Sequence, residues 1–366
     1  MNKLLHGMGL LLIALLALTI LPAQEGRLAP DVGLDGIGLW DLGLYGGLKG
    51  LELVPDVDSR ALLYLRGGYV EDYYYRDTAG LMDLAADNTD FNKWYLVARL
   101  GLELGLVHDA ILGKNSLFGR IFVRSLLAEH IFGDLVDPLL LDSGLPDMAN
   151  AWETSLFAGL FLDQVGFNPW LQSNHGYALE GSVEWTPGLT FNQLNGAVDY
   201  LRANFTGKLY VPLFENDQLG LYLMDRVMAD GLFGAAIPGL ARRRMGGFWQ
   251  TAAPGGVVRG TDNGRYDTYL KLVNNLELRF HFLPLFATAD QPEARILVPE
   301  LFAFCDAAAL DDLDYQFGTV LVSAGGGLIL NLRFIGIKFD LGYYVAYNFL
   351  EGSFSAFNLV LGGHHF

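Results

Sequence analysis

The chain has 366 residues, 52% of them hydrophobic and 13% aromatic, with a formal charge of −17 at pH 7. That charge excludes nucleic acid as a partner, because a nucleic-acid binder needs a basic footprint; it suits a surface where divalent cations bridge carboxylates and anionic lipids. The single cysteine, Cys305, excludes a disulfide framework.

The first residues read as a targeting segment. Lys3 and His6 supply a positive start, "MGLLLIALLALTIL" an apolar stretch, and Pro22-Ala23-Gln24 a small-residue cleavage point. The expected division is a signal peptide over 1–23 and one domain over 24–366; the alternative is a retained N-terminal anchor. Beyond residue 24 no run of about 18 or more apolar residues could cross a bilayer as a helix. Strands must therefore absorb the apolar content.

From there the governing period is two. Strands are predicted at 42–53, 60–75, 94–107, 119–132, 153–163, 176–186, 198–213, 218–228, 266–283, 295–307, 318–333, 335–348 and 354–366. In "WYLVARLGLELGLV", Leu96, Ala98, Leu100, Leu102, Leu104 and Leu106 share one face; Tyr95, Val97, Arg99, Gly101, Glu103 and Gly105 share the other. In "YALEGSVEWTP", Tyr177, Leu179, Val183 and Trp185 oppose Ala178, Glu180, Ser182, Glu184 and Thr186. In "LRANFTGKLYVPL", Leu201, Ala203, Phe205, Leu209, Val211 and Leu213 oppose Arg202, Asn204, Thr206, Lys208 and Tyr210.

A soluble sandwich also alternates, so two further features decide. Many predicted strands exceed ten residues, as tilted membrane-crossing strands do, whereas soluble strands average about five or six. Aromatic residues gather at strand ends, in "EDYYYRD" (Tyr73, Tyr74, Tyr75), Trp94-Tyr95, Trp152, Trp185 and Tyr343-Tyr344, where interface girdles belong. Charges and glycines on the other face cost little in a water-accessible lumen and much in a dry core. Backbone groups in lipid must all be paired, which closes the sheet on itself. The fold class is all-β: a closed antiparallel transmembrane β-barrel of the outer-membrane type. Its strand number should be even, with sixteen expected within a range of twelve to sixteen. Thirteen predicted strands leave at least one missing, between 28 and 45 or within 133–260. Long loops are expected near 133–151 and 229–264.

One loop stands out. "GGVVRG" carries Gly255, Gly256, Val258, Arg259 and Gly260, and the following "LELRF" sets Glu277 and Arg279 on a polar face. "LFAFCDAAAL" puts Asp306 in phase with Phe302 and Phe304. A carboxylate on an inward face wants a cation, and the planar fork of a guanidinium is its best match.

These stretches, followed by "SAGGGLILNL", "GIKFDLGY" and the terminal Phe366, resemble the ordered C-terminal landmarks of the BamA/TamA outer-membrane assembly superfamily, over roughly the last third of the chain. The resemblance implies a Val258-Arg259-Gly260 tip on a loop folded back into the lumen, with its arginine on the lumen acids Asp306 and Glu277. Gly255, Gly256 and Gly260 would let the backbone turn tightly against the wall. Phe366 would address the chain to the outer-membrane assembly machinery. Two departures, Thr261 for the family's aromatic and Ala308 for its glycine, imply looser packing at the tip. In "FNLVLGGHHF" the last residue is out of phase with Phe357, which calls for a bulge near Gly362-Gly363. The family's periplasmic POTRA domains find no room between the cleavage site and the first strands.

Catalytic patterns are absent: there is no HExxH, Gly-x-Ser-x-Gly or P-loop, so no enzyme is expected. No cofactor is expected, and no metal site; His364-His365 read as a polar rim. Asp311, Asp312 and Asp314 read as a solvated hairpin rather than a calcium loop, and Arg242, Arg243 and Arg244 as a solvated loop rather than a contact with lipid or with the lumen's acidic wall. Two functions follow. One is outer-membrane biogenesis, by protein insertion or translocation, with outer-membrane lipids around the barrel and a separate periplasmic partner protein. The other is a passive solute channel or structural barrel using Arg99, Glu103, Arg202, Lys208, Glu277 and Arg279 as its lumen lining.

Overall fold

The computed structural model describes residues 28–37, 41–72, 74–76, 82–84, 91–131, 150–168, 171, 173–189, 192, 198–216, 218–249, 251–252, 257–262, 265–282, 297–334 and 337–362. Fourteen of its strands form a single antiparallel sheet in chain order. They are β1 (Ala29–Ile37), β2 (Asp41–Val54), β3 (Val57–Asp72), β6 (Phe91–Asp109), β7 (Lys114–Ile131), β8 (Ala151–Asn168), β9 (Ser173–Thr186), β10 (Asp199–Glu215), β11 (Gly220–Ala236), β14 (Leu270–His281), β15 (Leu297–Asp311), β16 (Phe317–Phe334), β17 (Ile337–Asn348) and β18 (Ser353–Gly362). Two small hairpins stand apart: β4 (Tyr74–Arg76) with β5 (Met82–Leu84), and β12 (Met245–Gly246) with β13 (Thr251–Ala252). A five-residue helix, α1, spans Gly239–Arg243.

The two faces separate as the period-two pattern dictates. Leu100, Val123, Leu160, Trp185, Phe205 and Leu276 are exposed, with Leu100 at 63%. Their alternates Glu103, Phe122, Phe161, Glu184, Thr206 and Glu277 are buried. Apolar outside and polar inside is the polarity of a membrane barrel, the inverse of a soluble sandwich.

The sheet curls around the chain between β11 and β14. Phe248 of that segment packs on Tyr64 of β3, with 5.5 Å between ring centroids, while Arg265 pairs with Glu351 in the β17–β18 turn at 2.5 Å. One segment therefore reaches strands near both ends of the sheet. No pairing joins β1 to β18 among the described residues.

The structure revises several expectations. The strand number, however, stays within the expected range: fourteen strands of the sheet lie among the described residues, an even number between twelve and sixteen. The missing strand is β1; its "APDVGLDGI" mixes proline, glycine and aspartate into the alternation and slips register between Leu34 and Gly36. The loop expected from 229 begins only after Ala236, because Phe205 to Asp199 of β10 continue the ladder along Ala229–Ala236, whose small side chains carry little alternation. Residues 133–149 lie outside the described part.

The lumen wall is not water-accessible where it was expected to be: Glu103, Arg202, Glu277 and Arg279 are buried, since the inward segment fills the space. The aromatic girdle is thinner than expected too. Trp152, Trp185 and Tyr343 face outward, but Tyr95 is buried and Tyr344 packs on Phe304 at 5.8 Å. Neighbours along a strand point to opposite faces, so each aromatic doublet splits across the sheet. The Tyr74 hydroxyl donates to Asp262 at 2.8 Å, and burial with that carboxylate pushes it up to about 12. Tyr73 and the side chain of Tyr75 lie outside the described part. On β18 the ladder gains a residue between Ser355 and Asn358, a bulge earlier than the one expected at Gly362-Gly363; Gly363 and Phe366 are not among the described residues.

Candidate functional site

The chain leaves β11 and turns inward at once. Pro238 precedes α1, whose Arg242 and Arg243 are buried, with Arg242 Nε 3.0 Å from Asp267. The Arg244 guanidinium sits 4.9 Å from the Tyr95 ring centroid. These arginines meet the lumen wall and do not form the solvated loop read from "LARRRMGG". Acidic and aromatic partners on the inner face outcompete water for them.

The first anchor is the tip of the β12–β13 hairpin. The backbone N–H groups of Phe248 and Trp249 both donate to the Glu180 carboxylate, at 2.5 and 2.9 Å. A Cβ on Gly247 would lie 2.0 Å from Glu180 Oε1, so only glycine permits this approach. The Phe248 ring is held among Tyr64, Phe122, Phe157 and Phe161, with centroids 5.5 to 6.1 Å away. Arg120 covers it at 4.0 Å while donating to Glu103 at 2.9 and 2.7 Å. Three strands, β3, β7 and β8, thus grip one phenyl ring.

The second anchor is Arg259. Its backbone N–H donates to Asp306 Oδ2 at 2.9 Å, Nε to the same oxygen at 2.8 Å, and Nη2 to Oδ1 at 2.7 Å. Its Nη1 donates to Glu277. The guanidinium lies 3.7 Å from the Phe304 ring centroid. Val257 and Val258 pack with Met228, Val273, Ala308, Leu310 and Leu321. Gly260, at φ +83°, lies against Ala346, where an added Cβ would stand 2.7 Å from that side chain. The predicted Val258, Arg259, Gly260, Glu277 and Asp306 therefore come together at one place, while Gly255 and Gly256 fall outside the described residues. At the two departures the tip is not loose: Thr261 is buried and accepts from Asn348 Nδ2 at 3.1 Å, and Ala308 is one wall of the valine pocket.

From Glu277 the ion network runs along the wall. Arg279 donates to Glu277 at 2.6 Å and pairs with Glu300 at 3.1 Å, and Asn331 donates to Glu300 at 3.0 Å. The segment returns to the sheet through Asp311, which accepts from the backbone of Tyr269, Leu270 and Tyr315 at 2.7 to 2.8 Å. Asp312 and Asp314 are exposed as expected of a hairpin, but Asp311 is a buried acceptor. Lys271, fully buried, pairs with Asp230 at 3.0 Å and donates to the Met245 carbonyl at 3.1 Å.

Glu180, Phe248, Asp311 and Lys271 escaped the reading of the sequence as site residues. "GGFW" repeats the pattern of "GGVVRG", paired glycines ahead of a large anchoring side chain, and that repetition was the available signal. Among the described residues no group of three or more His, Cys, Asp or Glu side chains is arranged to hold a metal ion; His364 and His365 are not among them.

No protein-family profile matches the chain, and no curated protein does. Solved structures with a similar overall form include BamA from Haemophilus ducreyi lacking POTRA domains 1-3, with a TM-score of 0.49 and 12% identity over 91% of this chain and 63% of that one. CdiB from Escherichia coli has a TM-score of 0.47 and 13% identity over 93% and 62% of the two chains. A bacterial polysaccharide outer membrane secretin has a TM-score of 0.36 and 10% identity over 92% and 93%. This chain spans just under two thirds of the length of the first two.

Proposed function

We propose that the protein is an outer-membrane β-barrel of the BamA/TamA type that serves outer-membrane biogenesis, inserting or translocating other proteins together with a separate periplasmic partner. The observation that carries this reading is the arginine-tipped arm docked on Asp306 and Glu277, the arrangement that the resemblance in the C-terminal third implies. The apolar outer face supports outer-membrane lipids as its surroundings. Burial of the lumen charges beneath the inward segment weighs against the passive-channel reading, since an open solute path needs a wetted wall.

The test is removal of the protein from cells. Loss of other barrel proteins or of exported clients from the outer membrane, restored by the native chain but not by Arg259→Ala, is the expected result. Solute-specific conductance of the purified chain with no change in other outer-membrane proteins would move the channel reading to first place.

A further inference from the structure

The outer face of β10, β11, β14 and β15 is hydrocarbon with one interruption. Asp225 of β11 lies in phase with the exposed Val227 and Phe233, and Asn274 of β14 in phase with the exposed Leu272, Leu276 and Leu278. Both belong to the outward set. The Asn274 Nδ2 donates to Asp225 Oδ1 at 2.6 Å. No other charged side chain occupies the outward positions of these four strands between the Leu221–Phe280 pair and Phe233. A carboxylate held in the hydrocarbon layer is costly, and such residues mark sites of interaction or transport by default.

The surroundings suit a close neighbour. Small outward residues, Gly207, Ala229, Gly231, Ala303 and Ala307, flank the pair and leave a shallow surface on which another protein wall can approach. The pair also contains one acceptor and one amide that both donates and accepts, side by side. A two-fold axis through its midpoint would bring each Asp225 against the partner's Asn274 and each Asn274 against the partner's Asp225, the self-complementarity that an isologous interface requires.

We propose that this face is the contact between two copies of the chain within the membrane, with Asp225 and Asn274 exchanging hydrogen bonds across the two-fold axis. The occupant is a second copy because the patch complements itself; a lipid would satisfy the carboxylate with no such reciprocity. The proposal rests on the outward polarity of the sheet and is independent of any role in biogenesis.

The sole cysteine provides the probe. Cys305 is exposed, two strand steps from Asp225 along the row Asp225, Leu276, Cys305, or about 10 Å. The full chain is labelled at Cys305 with a donor or an acceptor maleimide while unfolded in urea, where the thiol is in water, and then folded into phosphatidylethanolamine–phosphatidylglycerol vesicles at high lipid excess. Mixed donor and acceptor copies of the native chain are expected to show energy transfer that excess unlabelled native chain abolishes. Asp225→Leu or Asn274→Leu should weaken association about tenfold by removing the reciprocal bonds. The exchange variant Asp225→Asn with Asn274→Asp, which keeps both groups, should restore it, and this comparison holds even if a leucine variant folds poorly. A native chain that stays monomeric at the same dilution, a dimer indifferent to both leucines, or an exchange variant no better than they are would overturn the proposal.

Discussion

Arg259 makes four hydrogen bonds to two buried carboxylates and stacks on Phe304, so its loss leaves Asp306 without its guanidinium. Breaking such a buried pair from one side costs about 3–5 kcal/mol. Arg259→Ala is accordingly expected to leave the barrel inserted and to increase protease cleavage within 257–262; unchanged cleavage would show that the valine pocket alone holds the arm. Arg259→Lys should lie between, because a point charge cannot reproduce the fork. Gly260→Ala meets two obstacles, the positive φ and Ala346, at a cost of roughly 1–3 kcal/mol. In a Cys305→Ser background, Thr261→Cys and Asn348→Cys should form a disulfide readily, and adding Gly260→Ala should suppress it.

The inward segment is an element with two grips, and each belongs to a different part of the sheet. Phe248 and Glu180 fasten it to β3 and β7–β9, whereas Arg259 fastens it to β14 and β15 and Gly260 sets it against β17. Releasing one grip should leave the other half of the lumen sealed. Arg259→Ala or Phe248→Ala alone is thus expected to raise planar-bilayer conductance only slightly, although the phenyl truncation removes about 3–5 kcal/mol of packing. The double variant should open a stable conducting path. Full opening by Arg259→Ala alone would show that the aromatic grip does not act as a seal. Glycines of β16 make the second grip possible: Cβ atoms on Gly325 and Gly327 would stand 2.7 and 2.8 Å from the rings of Phe304 and Phe302, where the arginine lies.

For the whole molecule the decisive property is sidedness. A charge on the lipid face of a barrel costs about 2–4 kcal/mol near the bilayer midplane. Leu276→Arg, on the exposed face of β14, is therefore expected to lose stability of that order in urea titrations of the vesicle-inserted chain. The same substitution should be nearly neutral if the outer face met water, which would remove the membrane reading altogether.

Much of this was legible in the chain itself. Leu100 against Glu103, Trp185 against Glu184 and Leu276 against Glu277 take their faces from strand geometry alone, because side chains alternate whatever the sheet does next. The grouping of Arg259 with Asp306 and Glu277 was implied by the family resemblance, and the inward phase of the two carboxylates and their need for a cation agreed with it. β1 was not legible, since its proline, glycines and aspartates blur the alternation that pairing with β2 alone enforces. Nor was the grip on Phe248, as nothing local to "GGFW" reveals that Glu180, 68 residues earlier, accepts its backbone. The sequence by itself determined which residues face lipid and which face inward, a property of each strand's own period. Only the tertiary structure decided what fills the lumen, because that depends on where the curl of the sheet brings distant strands around one returning segment.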